Sequence, residues 1–230
     1  MKKLLFLLSV MLCACHASAQ LKVGVEAGNN LSYYLVSGSK YAERVEDMKV
    51  GYQLGVSVNY LMRNHWVLIS GLYLQHTQSK MDLGDGTYKN TFFPNTEIKV
   101  NNLVVPLKLG CQFKLSDKFC LILSVGAYTS YGFNAGKCNL QAVWQDGQGC
   151  DTYKKEAIWR PMDGYSHTDG VMEKRLEPFR KWGYGGMVGL KAVVNDHYTI
   201  SIDNSVGIKE IHKQNGLRNS SIQLSAGYRF

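Results

Sequence analysis

The sequence predicts an all-β protein, an eight-stranded antiparallel up-and-down transmembrane β-barrel. Three observations predict it: apolar and polar residues alternate in eight segments, short and long connections alternate between these segments, and aromatic residues gather at the segment ends. The 230 residues suffice for one domain or one closed barrel. The 23 Gly and 14 Tyr suit strands and turns better than a helical bundle.

The N-terminus is predicted to be a secretory signal peptide. Lys2 and Lys3 precede a short apolar stretch, and the cleavage-site sequence "ASA" stands directly before Gln20. The apolar stretch is shorter than the roughly 20 residues that a membrane-spanning helix needs. We therefore assign residues 1–19 to the signal peptide and residues 20–230 to the barrel domain.

A lipidated N-terminus is the alternative interpretation of the same segment. The sequence "LCAC" at 12–15 resembles a lipobox, which would make Cys15 the lipidated first residue. Cys13 is an unusual occupant of its position in such a motif, and the "ASA" sequence competes as a cleavage site. The mature N-terminus distinguishes the two, because it would be either Gln20 or a modified Cys15.

Eight segments alternate between apolar and polar residues with a period of two, as half-buried strands do. They cover residues 21–34, 50–62, 65–78, 98–115, 118–133, 182–195, 197–210 and 218–230. The three shortest gaps consist mainly of turn formers, at 63–64, 116–117 and 195–196. The long connections cover residues 35–49, 79–97, 134–181 and 211–217. Every second connection of an up-and-down barrel lies at the same end, so one end receives tight turns and the other receives loops, as in outer-membrane barrels.

The apolar parity of these segments is predicted to face lipid. Strand middles on this parity are aliphatic, and strand ends are aromatic. The aromatic residues near the tight turns are Tyr60, Trp66, Phe113, Phe119, Tyr198, Tyr228 and Phe230, and those near the long loops are Tyr33, Tyr52, Tyr131 and Tyr184. Two aromatic girdles around an aliphatic band match the two interfaces of a bilayer. A lipocalin-like soluble barrel, with its apolar face inside, has no need for this sorting.

The opposite parity is small and polar, and it is predicted to fill the lumen. It includes charges of both signs, at Glu26, Lys108, Lys114, Lys191, Asp203 and Arg229. A lumen of eight strands has room for side chains and little else. Because a lone buried charge is costly, opposite charges there should pair. We therefore predict a plugged, salt-bridged interior rather than an ion path.

One disulfide is predicted among the four cysteines that remain after signal removal. Export places the chain in an oxidising compartment, and Cys138 and Cys150 both lie in the 134–181 connection. Closing that short ring would contribute ~3 kcal/mol to local order. Cys111 and Cys120 lie on opposite parities, so they cannot form a bridge without distortion. The prediction is a Cys138–Cys150 disulfide and two free thiols.

The connection 134–181 is the candidate interaction loop. It is far longer than a connection needs to be, and long ordered loops are usually functional. It carries several Trp and Tyr residues among charges that nearly cancel. Two interpretations stay open: a loop that binds a surface protein or glycan, and a flap that packs on its own aromatic residues over the barrel mouth.

No catalytic, metal or cofactor site is predicted. For a lipid-deacylating enzyme, the only suitable rim neighbours are His76 with Ser79 and His212 with Glu210. A membrane protease would find scattered candidates at Glu210, His212 and Asp169. No Cys or His spacing matches a zinc site, and the Gly-rich sequences lack the strand-to-helix setting of phosphate loops.

The charge balance gives no reason to expect a nucleic-acid partner. The formal net charge of +8 falls to +6 when Lys2 and Lys3 leave with the signal peptide. A surplus this small, spread along an exported chain, does not indicate the basic patch that phosphate backbones require.

The chain resembles the small outer-membrane β-barrels of Gram-negative bacteria, of the PorT-like and OmpX- or OmpA-like kind. The resemblance is carried by "LKVGVEAGNNLSYY" after the signal, "NNLVVPLKLG" in the fourth segment, and the alternating last segment that ends on Phe230. It covers residues 20–230. It implies outer-membrane localisation, contact with outer-membrane lipid, and recognition by the barrel-insertion machinery through Tyr228 and Phe230.

These observations together predict a non-enzymatic outer-membrane barrel with a plugged polar lumen. Its surface loops, mainly 134–181, would serve interaction or envelope integrity. Three alternatives stay open: an outer-membrane enzyme acting on envelope lipid or protein, a secretion-apparatus component suggested by the PorT-like resemblance, and a lipidated lipocalin-like periplasmic ligand carrier.

Overall fold

Eight long strands form a closed antiparallel barrel, and four shorter strands lie in the longest connection. The computed structural model describes residues 21–36, 45–62, 65–84, 91–134, 137–144, 150–157, 162–164, 174–176, 179–212 and 216–230. The strands are β1 (Leu21–Val36), β2 (Val45–Leu61), β3 (Trp66–Gly84), β4 (Thr91–Ser116), β5 (Phe119–Asn134), β6 (Lys137–Trp144), β7 (Cys150–Ala157), β8 (Met162–Gly164), β9 (Lys174–Leu176), β10 (Trp182–Val194), β11 (Tyr198–His212) and β12 (Leu217–Arg229). The predicted signal peptide, residues 1–19, and the lipobox-like sequence lie outside the described residues.

The barrel closes because its last strand pairs with its first. Around the wall the order is β1, β2, β3, β4, β5, β10, β11 and β12, and each strand pairs with the next in antiparallel orientation. The β1–β12 register runs from Gly24 opposite Arg229 to Val36 opposite Leu217. The backbone N–H of Phe230 donates to the carbonyl of Val23 at 2.8 Å. Each barrel strand therefore has two neighbours, as a membrane-spanning sheet requires. The predicted eight-stranded up-and-down barrel is confirmed.

The turn between β10 and β11 shows how the sequence sets a tight connection. Asn195 and Asp196 both have positive φ, 50° and 63°. A two-residue hairpin with positive φ at both positions matches the twist of the flanking strands, and Asn and Asp tolerate that conformation. The N–H of His197 donates to the carbonyl of Val194 at 3.2 Å, closing the turn.

Side-chain exposure follows the predicted parity. The aliphatic strand middles point outward and are exposed, as at Leu54, Leu107, Leu123, Ile200 and Leu224. Polar side chains on the other parity are buried inside the barrel. The predicted aromatic residues of both ends are on the outward face, exposed or half-buried. This arrangement is the reverse of a lipocalin-like barrel, so that alternative is wrong.

The strands extend beyond the barrel at the loop end, which the sequence analysis missed. The β3–β4 pairing continues to Gly84 opposite Phe92, inside the stretch 79–97 interpreted as a loop. β6 then pairs with the first part of β4, and β7 pairs with β6. The alternation in this part is interrupted, for instance by Pro94 after two adjacent Phe residues. A period-2 search therefore does not detect it.

Among the described residues, no helix has the length and apolar character needed to cross a membrane.

Candidate functional site

The lumen is filled by layers of side chains, and the first layer closes the tight-turn end. The buried guanidinium of Arg229 forms an ion pair with the Asp196 carboxylate, and its Nε donates to the Asp196 carbonyl at 3.0 Å. Lys22 Nζ reaches the same carboxylate at 3.1 Å. Asp196 is in the β10–β11 turn, Arg229 ends β12, and Lys22 is the second residue of β1. These three residues, called the Asp196 clamp below, therefore link the β1–β12 pairing that closes the barrel to the β10–β11 turn.

The Asp196 clamp predicts a loss of stability in acid. Burial alone would raise the pKa of Asp196, but the hydrogen bond from Lys22 and the charge of Arg229 outweigh it and hold this pKa below its ordinary value of 3.8. A lowered folded-state pKa gives stability that is present above the unfolded pKa and is lost as pH falls through the folded one. Asp196→Asn keeps a residue that tolerates positive φ.

We expect the wild-type protein to be more stable than Asp196→Asn at pH 7, and the difference to shrink below about pH 4. The measurement is urea unfolding of both proteins in lipid vesicles at pH 7, 5, 4 and 3. A difference that stays constant down to pH 3 would contradict the assignment.

The second layer is apolar and lies just inside the tight turns. Its buried residues are Val67, Ile69, Ile122 and Val193, against which Leu61 and Cys120 pack. Sequence reasoning missed this layer, because it interpreted the inward parity as polar throughout. The available signal was the occurrence of aliphatic residues on the polar parity near the turn ends of β3, β5 and β10.

The third layer contains two buried ion pairs. Lys191 Nζ lies 2.7 Å from Glu26 Oε1, and the hydroxyl of Tyr73 donates to Glu26 Oε2 at 3.1 Å. Lys108 Nζ forms an ion pair with the Asp203 carboxylate. These pairs join strands that are distant in the chain: Glu26 and Lys191 are 165 positions apart. The structure brings together four of the six charged residues proposed for the lumen in this layer.

The other two proposed lumen charges lie elsewhere. Arg229 is buried but belongs to the Asp196 clamp at the turn end. Lys114 is exposed, opposite Cys120 and close to the β4–β5 turn. Its place in the lumen charge network was wrong, because strand parity continues past the point where the barrel ends and solvent begins.

A fourth layer is polar and uncharged. Gln53 Nε2 donates to the Ser225 hydroxyl, and Gln75 Nε2 donates to Gln53 Oε1 at 2.8 Å. The hydroxyls of Ser205 and Ser221 lie 2.8 Å apart. These side chains satisfy one another inside the wall, as buried polar groups must.

The loop end of the lumen is occupied by a chain segment. Val104, Tyr128 and Met187 form a small buried cluster, and above them Phe179 is buried against His212 with ring centroids 4.7 Å apart. The segment is held on both sides. Arg180 N–H donates to the Ile211 carbonyl at 2.7 Å, and Gly132 N–H donates to the Lys181 carbonyl at 2.8 Å. The end of the long connection thus inserts Phe179 into the barrel mouth.

The rim histidines contact residues other than the predicted serine and acid. His76 Nδ1 lies 2.6 Å from Asn101 Oδ1, while Ser79 is buried on the opposite parity of the same strand. Glu210 faces Arg218 at 3.9 Å, and His212 is buried against Phe179. His76 is thus hydrogen-bonded to Asn101 instead of Ser79, and His212 packs on the Phe179 ring.

Asp169, the third protease candidate, lies outside the described residues. Within the part of the chain that the structure describes, no three His, Cys, Asp or Glu residues are grouped to hold a metal ion.

The cysteines fall into two groups. Cys111 and Cys120 are free thiols on opposite parities, as predicted. The β6–β7 register places Cys138 opposite Glu156 and Cys150 opposite Val143, at opposite ends of the pairing. A disulfide needs Cα atoms within about 7 Å. Side chains of this hairpin lie outside those described, so the Cys138–Cys150 disulfide stays a prediction, and it would require a different hairpin register.

Family comparison agrees with this architecture. Residues 4–230 match the family described as outer membrane protein beta-barrel domain. The chain belongs to this family. As an outer-membrane β-barrel, it is expected to turn its tight-turn end toward the periplasm and its loop end outward. A comparison with curated proteins found no match.

Several solved outer-membrane barrels are similar in structure. One is Ail, the attachment invasion locus protein of Yersinia pestis, solved in complex with the heparin analogue sucrose octasulfate, with 12% identity, coverage of 92% of this chain and 99% of that chain, and a TM-score of 0.40. Another is OprG from Pseudomonas aeruginosa, with 11% identity, coverage of 91% and 95%, and a TM-score of 0.42. Neisserial surface protein A has 15% identity, the same coverage of 91% and 95%, and a TM-score of 0.38.

Proposed function

We propose that this outer-membrane barrel is a non-enzymatic protein with a lumen closed to solutes, and that its loop-side surface mediates contact with a surface protein or glycan. The observation that carries the first part is the pair of buried ion pairs, Glu26–Lys191 and Lys108–Asp203, enclosed between apolar layers. An open aqueous path would leave these charges hydrated and would not need the apolar clusters above and below them.

The loop-side sheet supports the second part. β4 begins ten residues before its first pairing with β5 at Asn101, which corresponds to roughly 33 Å of extended chain. With the end of β3 and with β6 and β7 it forms a sheet that continues the barrel wall outward. A sheet this long is more than a connection between strands requires. It is suited to hold a recognition surface away from the membrane.

Two further assignments complete the proposal. Residues 1–19 are removed on export, so that the mature chain begins at Gln20. Tyr228 and Phe230 are the residues that the barrel-insertion machinery recognises. Their rings face outward with centroids 5.2 Å apart, at the end of the closing strand.

The test replaces residues 138–177 with a short Gly-Ser linker. We expect the variant to remain a barrel that migrates differently on gels before and after heating, because the eight wall strands are intact. Neither protein should conduct ions in planar bilayers. Cells carrying the variant should lose attachment to glycan- or matrix-protein-coated surfaces. Ion conductance by the wild-type protein would contradict the closed lumen, and unchanged attachment would contradict the role of the loop-side surface.

A further inference from the structure

The barrel wall has a gap between β10 and β11 at the loop end. The pairing of these two strands ends at Gly185 opposite Gly207. Beyond that point, Trp182–Tyr184 still pair with β5, while of the described β11 residues only Glu210 and His212 pair with β12, through an irregular register. Farther toward the loops, the hydrogen bond from Arg180 N–H to the Ile211 carbonyl joins the two segments again. The regular pairing of β10 and β11 is therefore interrupted between Gly185 and Arg180.

A cavity lies behind this gap. Its enclosed part is small, about 30 Å³, and the rest of the space opens to the surface. Its inner side is formed by three aromatic rings, Tyr34, Tyr128 and Phe179, and by the neutral polar side chains of Asn102 and Asn219. Gly183 and Gly207 also line it, and a side chain at either position would project toward Ser130 or the Asn219 backbone. Arg180, Lys181 and Tyr184 line the same cavity and are exposed, so the cavity opens to the surface beside them.

The mouth of the cavity is positively charged. Lys209 Nζ lies over the Tyr184 ring, 5.6 Å from its centroid, and Arg180 and Lys181 line the same cavity with exposed side chains. The described lining residues include no Asp or Glu. The carboxylate next along the chain, Glu210, is 3.9 Å from Arg218. Three cations therefore converge on an opening that has no acidic residue in its lining.

The gap also borders the lipid-facing surface. Ile208, the residue before Lys209, points outward and is 60% exposed. Val206, two residues earlier on the same face of β11, is also exposed. Trp182 and Tyr184 are exposed on the adjacent strand. Aromatic and cationic side chains at the end of an apolar band mark the headgroup level of a bilayer. Backbone groups unpaired at this level need a polar partner, since hydrocarbon offers none.

We propose that the gap between β10 and β11 binds the negatively charged phosphorylated headgroup of an outer-leaflet lipid. The phosphate lies against Lys209, Arg180 and Lys181, and the acyl chains run along the exposed Val206 and Ile208. A lipid fits better than a soluble anion, because the cations and the apolar surface are continuous. The headgroup oxygens also accept hydrogen bonds from backbone N–H groups of the wall where β10 and β11 are not paired.

The test measures lipid retention by the full chain. Wild-type protein is reconstituted in phosphatidylcholine nanodiscs containing lipid A, transferred to detergent, and examined by native mass spectrometry for bound lipid. We expect lipid A to be retained and phosphatidylcholine not. Lys209→Gln should lower lipid A retention by about fivefold, the ratio that corresponds to one lysine near a charged lipid surface. Lys118→Gln, which neutralises an exposed lysine at the opposite end, should leave retention unchanged.

Two glycines provide a second, steric test. A side chain at Gly183 would project toward Ser130 within the cavity, and a Cβ at the outward-facing Gly186 would meet no heavy atom within 4 Å. Gly183→Leu should abolish lipid A retention, and Gly186→Leu should preserve it. Equal lipid A retention by the wild type and all variants would overturn the proposal. A loss of retention in Lys118→Gln as large as that in Lys209→Gln would overturn it as well. Displacement of the lipid by inorganic phosphate at equal concentration would show that a free anion is the ligand, which also overturns it.

Discussion

Val125→Lys is expected to destabilise the barrel by about 2–4 kcal/mol, the cost of a lysine near the bilayer midplane. Val125 is in the middle of β5, points outward and is 61% exposed. In water such a position would accept lysine with almost no effect, since surface substitutions usually change stability by about 0.5 kcal/mol or less. The expected loss therefore arises only if hydrocarbon covers this face.

Leu115→Lys is the matched control. Leu115 is 64% exposed, slightly more than Val125, but it is next to the last residue of β4. At this interfacial depth a lysine should cost about 0–1 kcal/mol. Both variants would be unfolded by urea in phospholipid vesicles, with the wild type as reference. A Val125→Lys effect as small as that of Leu115→Lys would place the face in water and refute the membrane assignment.

Lys191→Met is expected to cost about 3–5 kcal/mol, because it leaves the Glu26 carboxylate buried without its cation. The Nζ of Lys191 is 2.7 Å from Glu26 Oε1, and both side chains are almost fully buried. Lys114→Met is the control, because Lys114 is exposed at the end of β4. It should change stability by about 0.5 kcal/mol or less.

A double variant separates the ion pair from simple packing. In Lys191→Met with Glu26→Gln, no buried charge remains at this position, so most of the lost stability should return. The wild type, Lys191→Met, Glu26→Gln and the double variant form a double-mutant cycle, in which the free energy of unfolding in urea is measured for each protein. If the double variant is as unstable as the sum of the single variants, Glu26 and Lys191 are not coupled. A large loss with Lys114→Met would instead show that Lys114 does belong to the network.

The sequence determined the wall of this barrel, because strand geometry is local. Successive side chains of a strand point to opposite faces, so parity alone assigned Leu123 to lipid and Lys191 to the lumen. Turn chemistry is equally local, and Asn195 and Asp196 predicted their own hairpin. The aromatic girdles followed from the positions of residues such as Tyr198 and Tyr184 within their strands.

The tertiary structure decided everything that depends on which distant strands become neighbours and where the barrel ends. Glu26 meets Lys191 across 165 positions, and no local pattern specifies that choice of partner. Parity placed Lys114 with the lumen charges, yet the β3–β4 pairing ends at Cys111 and the Lys114 side chain is exposed. The gap beyond Gly185 and Gly207 arises where two strands diverge. Alternation specifies whether a side chain points to the lumen or to the lipid. Its position along the barrel axis and its neighbours are set only by the closed sheet.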